Sequence, residues 1–355
     1  MKYYIGCDAH KKYSVFSGIS QAGEIIPAKR VEHDPNKYRL FLETLPKGST
    51  IAIESVGNWY WLVDEMEKAG HQPSLVHAGK AKLMMGNLNK TDKLDARGLA
   101  ILARNGTLPA VWIPSGELRD QRELPRMRLV LVGMRTKLKN RIHATFAKYA
   151  ITFDEVSDVF GGKGRRMLEQ ALPELPRETR RSIEEQLRLL DQLEESIELA
   201  EKRIGEVIKE DRRMQLLKTI PGVGSILAIT IALEMGDTSR FPSGEKFASY
   251  AGKVPRVNSS GGKTYYGRVR PDVNRYLKWA FTEAANAIVL QQHHLGDCHV
   301  LRLYWHIRKS KGHAKAVTAL GRHLAEASYW MLKKDEPYRE PRARGQVSSI
   351  PGVSA

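Results

Sequence analysis

Four acidic residues stand where a fold could gather them: Asp8, Glu54, Asp92 and Asp95. Asp8 and Glu54 each close a short apolar run that reads as a strand, and Asp92 and Asp95, three apart, share one helix face. Clustered carboxylates repel, and hard divalent cations with oxygen ligands relieve that repulsion. Two such ions can activate a nucleophile and stabilise the leaving oxygen of an in-line phosphoryl displacement. Singly, each acid has an ordinary use: Asp8 as a turn cap, Asp92 as a helix-start charge, Asp95 as a surface partner of Lys93 or Arg97. Their order and joint placement indicate a metal site instead. A separate block runs Ser259-Ser260-Gly261-Gly262-Lys263. Glycine neighbours let a hydroxyl approach a phosphate closely, with Lys263, Arg268 and Arg270 to neutralise developing charge; by spacing alone, such a serine is a turn residue.

The elements that must position these groups follow from periodicity. Tyr3 to Asp8, Tyr13 to Ile19 and Glu24 to Val31 read as an antiparallel meander with a turn at Gln21-Ala22-Gly23. A helical stretch around Lys37 to Leu45, a strand at Ser49 to Glu54, a helix from Trp59 to Ala69 and a strand at Pro73 to His77 add parallel βα units. A meander continued by βα units is an RNase H-like layout. Ala96, Leu99 and Leu102 give the Asp92 helix an apolar stripe beside its acids.

From Glu117 to Ala150 a basic helical pattern follows, in which Arg135 and Lys139 are candidate nucleic-acid contacts and Pro125 sets a start or a kink. Ile183, Leu190, Ile197 and Ile204 then recur every seven residues, with Leu193, Ala200 and Val207 three further on. This coiled-coil pattern either dimerises the protein or folds back on its own chain. A mostly helical region runs from Met214 to about Lys334, and Gly222 to Met235 reads as a core helix. In Ile220-Pro221-Gly222-Val223-Gly224, a turn of helix-hairpin-helix type, Gly222 and Gly224 either admit a phosphate to backbone amides or simply join two core helices. The expected divisions are 1–115, 116–212, 213–335 and a disordered tail, 336–355.

Lys and Arg total 57 against 40 Asp and Glu, a net charge of +17 that attracts polyanions. The last helices, Arg302 to Lys334, are basic too. Cys7 and Cys298 form no CxxC pair, so neither a disulfide framework nor a cysteine-rich zinc site is expected, and a reducing cytoplasm fits. His293, His294, Cys298 and His299 lack the paired spacing of structural zinc sites. Trp59, Trp61, Trp305 and Trp330 lie in helical patterns that favour core packing over base stacking. No signal-peptide core or membrane span is read.

The segments Gly6-Cys7-Asp8-Ala9-His10-Lys11, Ile53-Glu54-Ser55-Val56-Gly57 and Lys90-Thr91-Asp92-Lys93-Leu94-Asp95 resemble the Asp-Glu-Asp-Asp motifs of the insertion-sequence 110 family of transposases. The block from Phe247 to Arg270, continuing through Asn274 to Lys278 and Ala284-Ala285, resembles that family's C-terminal transposase domain, with Lys253 standing where the family usually has an apolar residue and Arg270-Pro271-Asp272 replacing a Lys-x-Gly turn. The resemblance implies a RuvC-like N-terminal domain whose tetrad Asp8, Glu54, Asp92 and Asp95 binds Mg²⁺ or Mn²⁺. It also implies Ser260 as nucleophile, with Ser259 the adjoining alternative. The implied partners are donor and target DNA, a noncoding guide RNA and further copies of the chain as a dimer or tetramer, without a membrane, in a bacterial or archaeal cytoplasm at the nucleoid. Two other classes stay open: a RuvC-like metal-dependent nuclease using water, and a non-catalytic nucleic-acid-binding protein.

Overall fold

Apolar alternation builds the first unit, Met1–Pro114. In the computed structural model, which describes residues 2–86 and 91–340, β1 (Tyr3–Ala9), β2 (Tyr13–Ser20) and β3 (Ile25–Glu32) form an antiparallel meander. After α1 (Pro35–Thr44), capped by the Asp34 carboxylate accepting from Lys37 N, β4 (Thr50–Glu54) pairs in parallel with the free side of β1. α2 (Trp59–Lys68) leads to β5 (Gln72–Val76), parallel to β4. α3 (Ala78–Met85), α4 (Asp92–Arg104) and the two-residue β6 (Ala110–Val111) follow, and the sheet order is β3-β2-β1-β4-β5-β6. A mixed α/β first half was expected. Neither α3 nor β6 was, because the one lacks an apolar stripe and the other is too short to show a period.

Each strand faces two ways, and each face has its own helices. Ile5, Cys7, Ile51 and Ile53 pack with Tyr38, Phe41 and Leu42 of α1 and Leu62, Val63 and Met66 of α2. Ala52 and Val76 pack on the opposite face with Ala81 of α3 and Leu99, Leu102 and Ala103 of α4. Gly6 also faces α4, since a Cβ there would stand 1.8 Å from the Ala96 carbonyl oxygen. Asp8, two residues further along β1, shares that face.

The second unit spans Ser115–Ala355. α5 (Gly116–Ala147) is capped by Ser115 and runs through a buried Pro125, so of the two expectations for this proline, a start or a kink, the start is overturned. A side-chain cap ten residues earlier starts the helix, and a helix this long with a packed face tolerates one missing hydrogen bond. After α6 (Gly162–Ala171), α7 (Arg177–Val207) buries Ile183, Leu190, Leu193, Ile197, Ala200 and Ile204, while Val207 is exposed. Ile142 and Phe146 of α5 share a core with Ile183, Leu187 and Leu190. Of the two alternatives for the heptads, this helix folds back on its own chain. Because α5 also packs on the later helix Ser225–Met235, the stretch read as a linker belongs to the same unit.

The remaining helices are α8 (Arg212–Leu217), α9 (Ser225–Met235), α10 (Gly244–Tyr250), α11 (Arg275–Leu290), α12 (Gln292–Leu295), α13 (His299–Lys311) and α14 (His313–Lys334). Leu217, Ile231, Phe247, Phe281, Leu320 and Tyr329 lie in their common core. Within this mostly helical region stands a β-hairpin, β7 (Pro255–Ser260) and β8 (Lys263–Val269), with Gly261-Gly262 as its turn; its two strands were not expected. The start of the expected disordered tail is tied down: Tyr338 N donates to Thr219 Oγ1 at 2.8 Å, and His299 N donates to the Glu340 carboxylate at 2.7 Å. Its remainder, 341–355, lies outside the described residues. Among the described residues no helix is long and apolar enough to cross a membrane.

Candidate functional site

Parallel pairing of β1 with β4 matches Cys7 to Ile53, so the next position places Asp8 beside Glu54 on neighbouring strands, about 4.8 Å apart in the backbone. α4 begins at Asp92, with Thr91 Oγ1 accepting from Leu94 N at 3.3 Å. Its amide-rich N-terminus favours negative charge. Bare Gly6 lets the helix lie directly on β1, and this brings Asp92 to Asp8.

His10 joins the two acids. Its Nε2 stands 3.1 Å from Asp8 Oδ2 and 3.3 Å from Asp92 Oδ2. One ligand atom from each of the three lies within 4.8 Å of the others, and all three residues are half-buried. Tyr13 OH donates to Asp92 Oδ2 at 3.1 Å, its ring packs 4.6 Å from the His10 ring, and the Arg30 guanidinium stacks on it at 3.7 Å. Asn58 Nδ2 donates to the His10 carbonyl at 3.0 Å and fixes the backbone there. Burial pushes the Asp8 carboxyl up from its ordinary value; His10 opposes this, and the charges of Asp92 and Asp95 reinforce it. The hydrogen bond to Asp92 raises the Tyr13 hydroxyl.

Of the four expected acids, Asp8 and Asp92 therefore meet within the compact group. Asp95 acts on Asp8 electrostatically, and Glu54 is its neighbour across the sheet; neither belongs to the compact group. Two carboxylates and an imidazole at this spacing suit a divalent cation, since each offers a lone pair and the acids repel without one. His10 and Tyr13 were missed by the sequence reading. Asp-x-His at a strand end was the available signal for His10; Tyr13 arrives from a neighbouring strand and leaves none. Among the described residues, His293, His294, Cys298 and His299 form no comparable group.

Ser260 stands at the tip of the β-hairpin, exposed. Gly261 and Gly262 both have positive φ, 57° and 76°, as the central pair of a type I′ turn requires. Ser260 pairs directly with Lys263, and on the same face Asn258 pairs with Tyr265. Ser259 faces the other way, its hydroxyl 3.3 Å from Thr264 Oγ1. Tyr265 and Tyr266 are 64% and 74% exposed, aromatic surface that the sequence reading passed over. Lys263 and Arg268 are exposed as well, whereas Arg270 is bonded to Asp272, which raises its guanidinium pKa.

The other candidate nucleic-acid contacts divide. Arg135 and Lys139 bind Glu194 of α7 at 2.8 and 3.2 Å, so packing within the chain engages both. Gly222 has φ +77°, and a Cβ there would stand 2.5 Å from the Ala284 carbonyl oxygen, so helix packing alone demands glycine. Around Gly224 a Cβ would meet nothing within 4 Å. Trp59 and Trp61 pack on the sheet core, but Trp305 and Trp330 are 39% and 45% exposed, with Arg308 over the first and Lys333 and Lys334 over the second.

Residues 5–151 match the family model described as Transposase, of the DEDD type of insertion sequence IS110. Residues 214–297 match that of the IS116/IS110/IS902 transposase family. The chain is 25% identical over 343 residues to a probable family 20 transposase of Pseudomonas aeruginosa, covering 94% of this chain and 98% of that relative. It is 25% identical over 337 residues to the transposase for insertion sequence element IS1111A of Coxiella burnetii, covering 94% and 91%. To the transposase for IS1328 of Yersinia enterocolitica it is 28% identical over 225 residues, covering 63% and 66%. With both halves matched in order and relatives spanning nearly the whole length, the chain belongs to the insertion-sequence 110 family of transposases.

Proposed function

We propose that this transposase is a serine recombinase with an RNase H-like metal centre. The observation that carries the reading is the meeting of Asp8 and Asp92, 84 positions apart, at the N-terminus of α4. A meander followed by parallel βα units, with β1 central between β2 and β4, supports the RNase H-like assignment. Asp8, Glu54, Asp92 and Asp95 would hold Mg²⁺ or Mn²⁺, which supplies charge neutralisation and favours loss of a proton from an attacking hydroxyl. The Ser260 oxygen forms a bond to a backbone phosphorus, and the bond from that phosphorus to one deoxyribose oxygen breaks. The departing oxygen takes up a proton, leaving a phosphoserine that a strand-end hydroxyl resolves by the reverse step. Lys263, directly across the hairpin, and Arg268 offset the developing negative charge.

The reaction requires tetrad and serine at one phosphodiester, within one chain or between copies in a dimer or tetramer. Donor and target DNA are the substrates, and a noncoding guide RNA selects them; exposed basic helices such as α13 suit either backbone.

Recombination between donor and target DNA is the test, with Mg²⁺ and host RNA, comparing wild type, Ser260→Ala, Ser259→Ala and Asp8→Asn while covalent adducts are trapped on a denaturing gel. An adduct that survives Ser259→Ala and vanishes with Ser260→Ala is the expected result. Cutting that persists in Ser260→Ala makes this a metal-dependent nuclease using water. Activity indifferent to Asp8→Asn removes the metal centre, and full activity after ribonuclease treatment removes the guide.

A further inference from the structure

We infer that His10 is a nitrogen ligand of the divalent metal, forming with Asp8 and Asp92 a three-donor face that selects Mn²⁺ over Mg²⁺. The inference rests on the reading of the acids as a metal centre and names the metal that centre prefers.

An ion with bonds of ~2.1 Å sets adjacent octahedral ligands about 3.0 Å apart, because the edge of an octahedron is the bond length times the square root of two. His10 Nε2 lies 3.1 Å from Asp8 Oδ2 and 3.3 Å from Asp92 Oδ2. Two edges of the triangle thus already stand close to the spacing of one coordination face, and all three donors lie within 4.8 Å of one another. Both contacts use the same ring nitrogen, so Nε2 is aimed where the two carboxylates converge and, once deprotonated, would offer its one lone pair there.

The ring is also held. Tyr13 packs against it at 4.6 Å and donates to the Asp92 oxygen, Arg30 stacks on Tyr13, and Asn58 fixes the His10 carbonyl. Imidazole ligands with supporting neighbours are typical of transition-metal sites. Mn²⁺ shares the preference of Mg²⁺ for oxygen donors but, as a transition-metal ion, accepts an imidazole nitrogen, whereas Mg²⁺ keeps to oxygen donors and water. Glu54 and Asp95 lie outside this face, so selection for Mn²⁺ falls to His10. The competing account is an imidazolium that pairs with two carboxylates and leaves when metal binds.

Pulsed electron paramagnetic resonance on the Mn²⁺-loaded full-length protein separates these accounts. We expect a ¹⁴N coupling in wild type that is lost in His10→Gln, with Mn²⁺ affinity falling by about tenfold or more and calorimetric Mg²⁺ affinity by less than about threefold. Asp92→Asn should weaken both ions, and circular dichroism checks that each variant is folded. Mn²⁺ bound in an Asp92-dependent way without any ¹⁴N coupling overturns the His10 assignment and leaves the metal centre standing. Absence of metal binding, or binding indifferent to Asp8→Asn and Asp92→Asn, overturns the metal-centre reading and this inference with it.

Discussion

Gly6 of β1 lies directly beneath the Ala96 carbonyl of α4: a Cβ on Gly6 would stand 1.8 Å from that oxygen and 2.9 Å from Ala100 N. Both obstacles are backbone, so the helix could accommodate a methyl group only by lifting off the strand. Overpacking of this kind costs ~1–3 kcal/mol, and more where backbone must move. Gly6→Ala is therefore expected to lower stability by about 3 kcal/mol and to separate Asp92 from Asp8. Chemical denaturation and Mn²⁺ titration check the two effects together. A variant that melts and binds metal like wild type would mean that the close approach of α4 does not set the site.

Glu234 gives the second expectation. It is 1% exposed, and its carboxylate accepts from Arg126 at 2.7 and 3.1 Å and from Asn274 at 2.8 Å. The Asn274 side-chain Oδ1 caps α11 by accepting from Tyr276 N and Leu277 N, just after the hairpin. Removing one partner of a buried pair leaves the other uncompensated, at a cost of roughly 3–5 kcal/mol. Glu234→Gln should shift the urea midpoint accordingly and reduce covalent adduct formation. A loss of unfolding free energy below about 1 kcal/mol would show that water replaces the lost charge.

Salt dependence distinguishes basic residues available to a polyanion from those engaged within the chain. Arg268 is exposed on the hairpin, whereas Arg135 is bound to Glu194. Each phosphate contact adds about 0.9 to the slope of log affinity against log salt. Arg268→Ala is expected to reduce that slope by about one for donor DNA, and Arg135→Ala to leave it unchanged while loosening the α5–α7 pair. Equal slopes for both variants would show that Arg135 exchanges Glu194 for a phosphate on binding.

The difference between these arginines marks what could be read from the chain itself. The placement of Asp8 and Glu54 on strands was legible because apolar alternation runs up to each acid, and that of Asp92 and Asp95 on one helix because i and i+3 share a face. The Arg135–Glu194 pair spans 59 positions and depends on how α5 aligns with α7, for which no local pattern exists. The hairpin was missed for another reason. Its strands are exposed on nearly every residue, so no burial imposes apolar alternation, and the only signal was the Gly261-Gly262 turn. His10 lies past the end of β1, where periodicity stops. Its role is set by Asn58 and Tyr13 arriving from elsewhere.

Lys253 supplies a stability test that is independent of nucleic acid. It is 3% exposed, and its ammonium donates to Thr282 Oγ1 at 2.6 Å. Burial first, and the like charge of Lys278 second, lower its pKa from 10.5 to about 8, with Glu283 opposing. The folded value lies below the unfolded one, so between pH 8 and 10.5 the unfolded chain binds more protons and stability rises with pH across that window. Below pH 8 both states are charged and the penalty is constant, about 3 kcal/mol at most from the gap between the two values. Lys253→Met keeps the aliphatic stem and removes the charge. It is expected to be more stable than wild type at pH 7 by up to about 3 kcal/mol, with the difference shrinking steadily towards pH 10. Paired urea denaturation of the two proteins at pH 7, 8, 9 and 10 measures this. A difference that stays constant with pH would show that Lys253 remains protonated in the fold, with Thr282 and its surroundings solvating the ammonium.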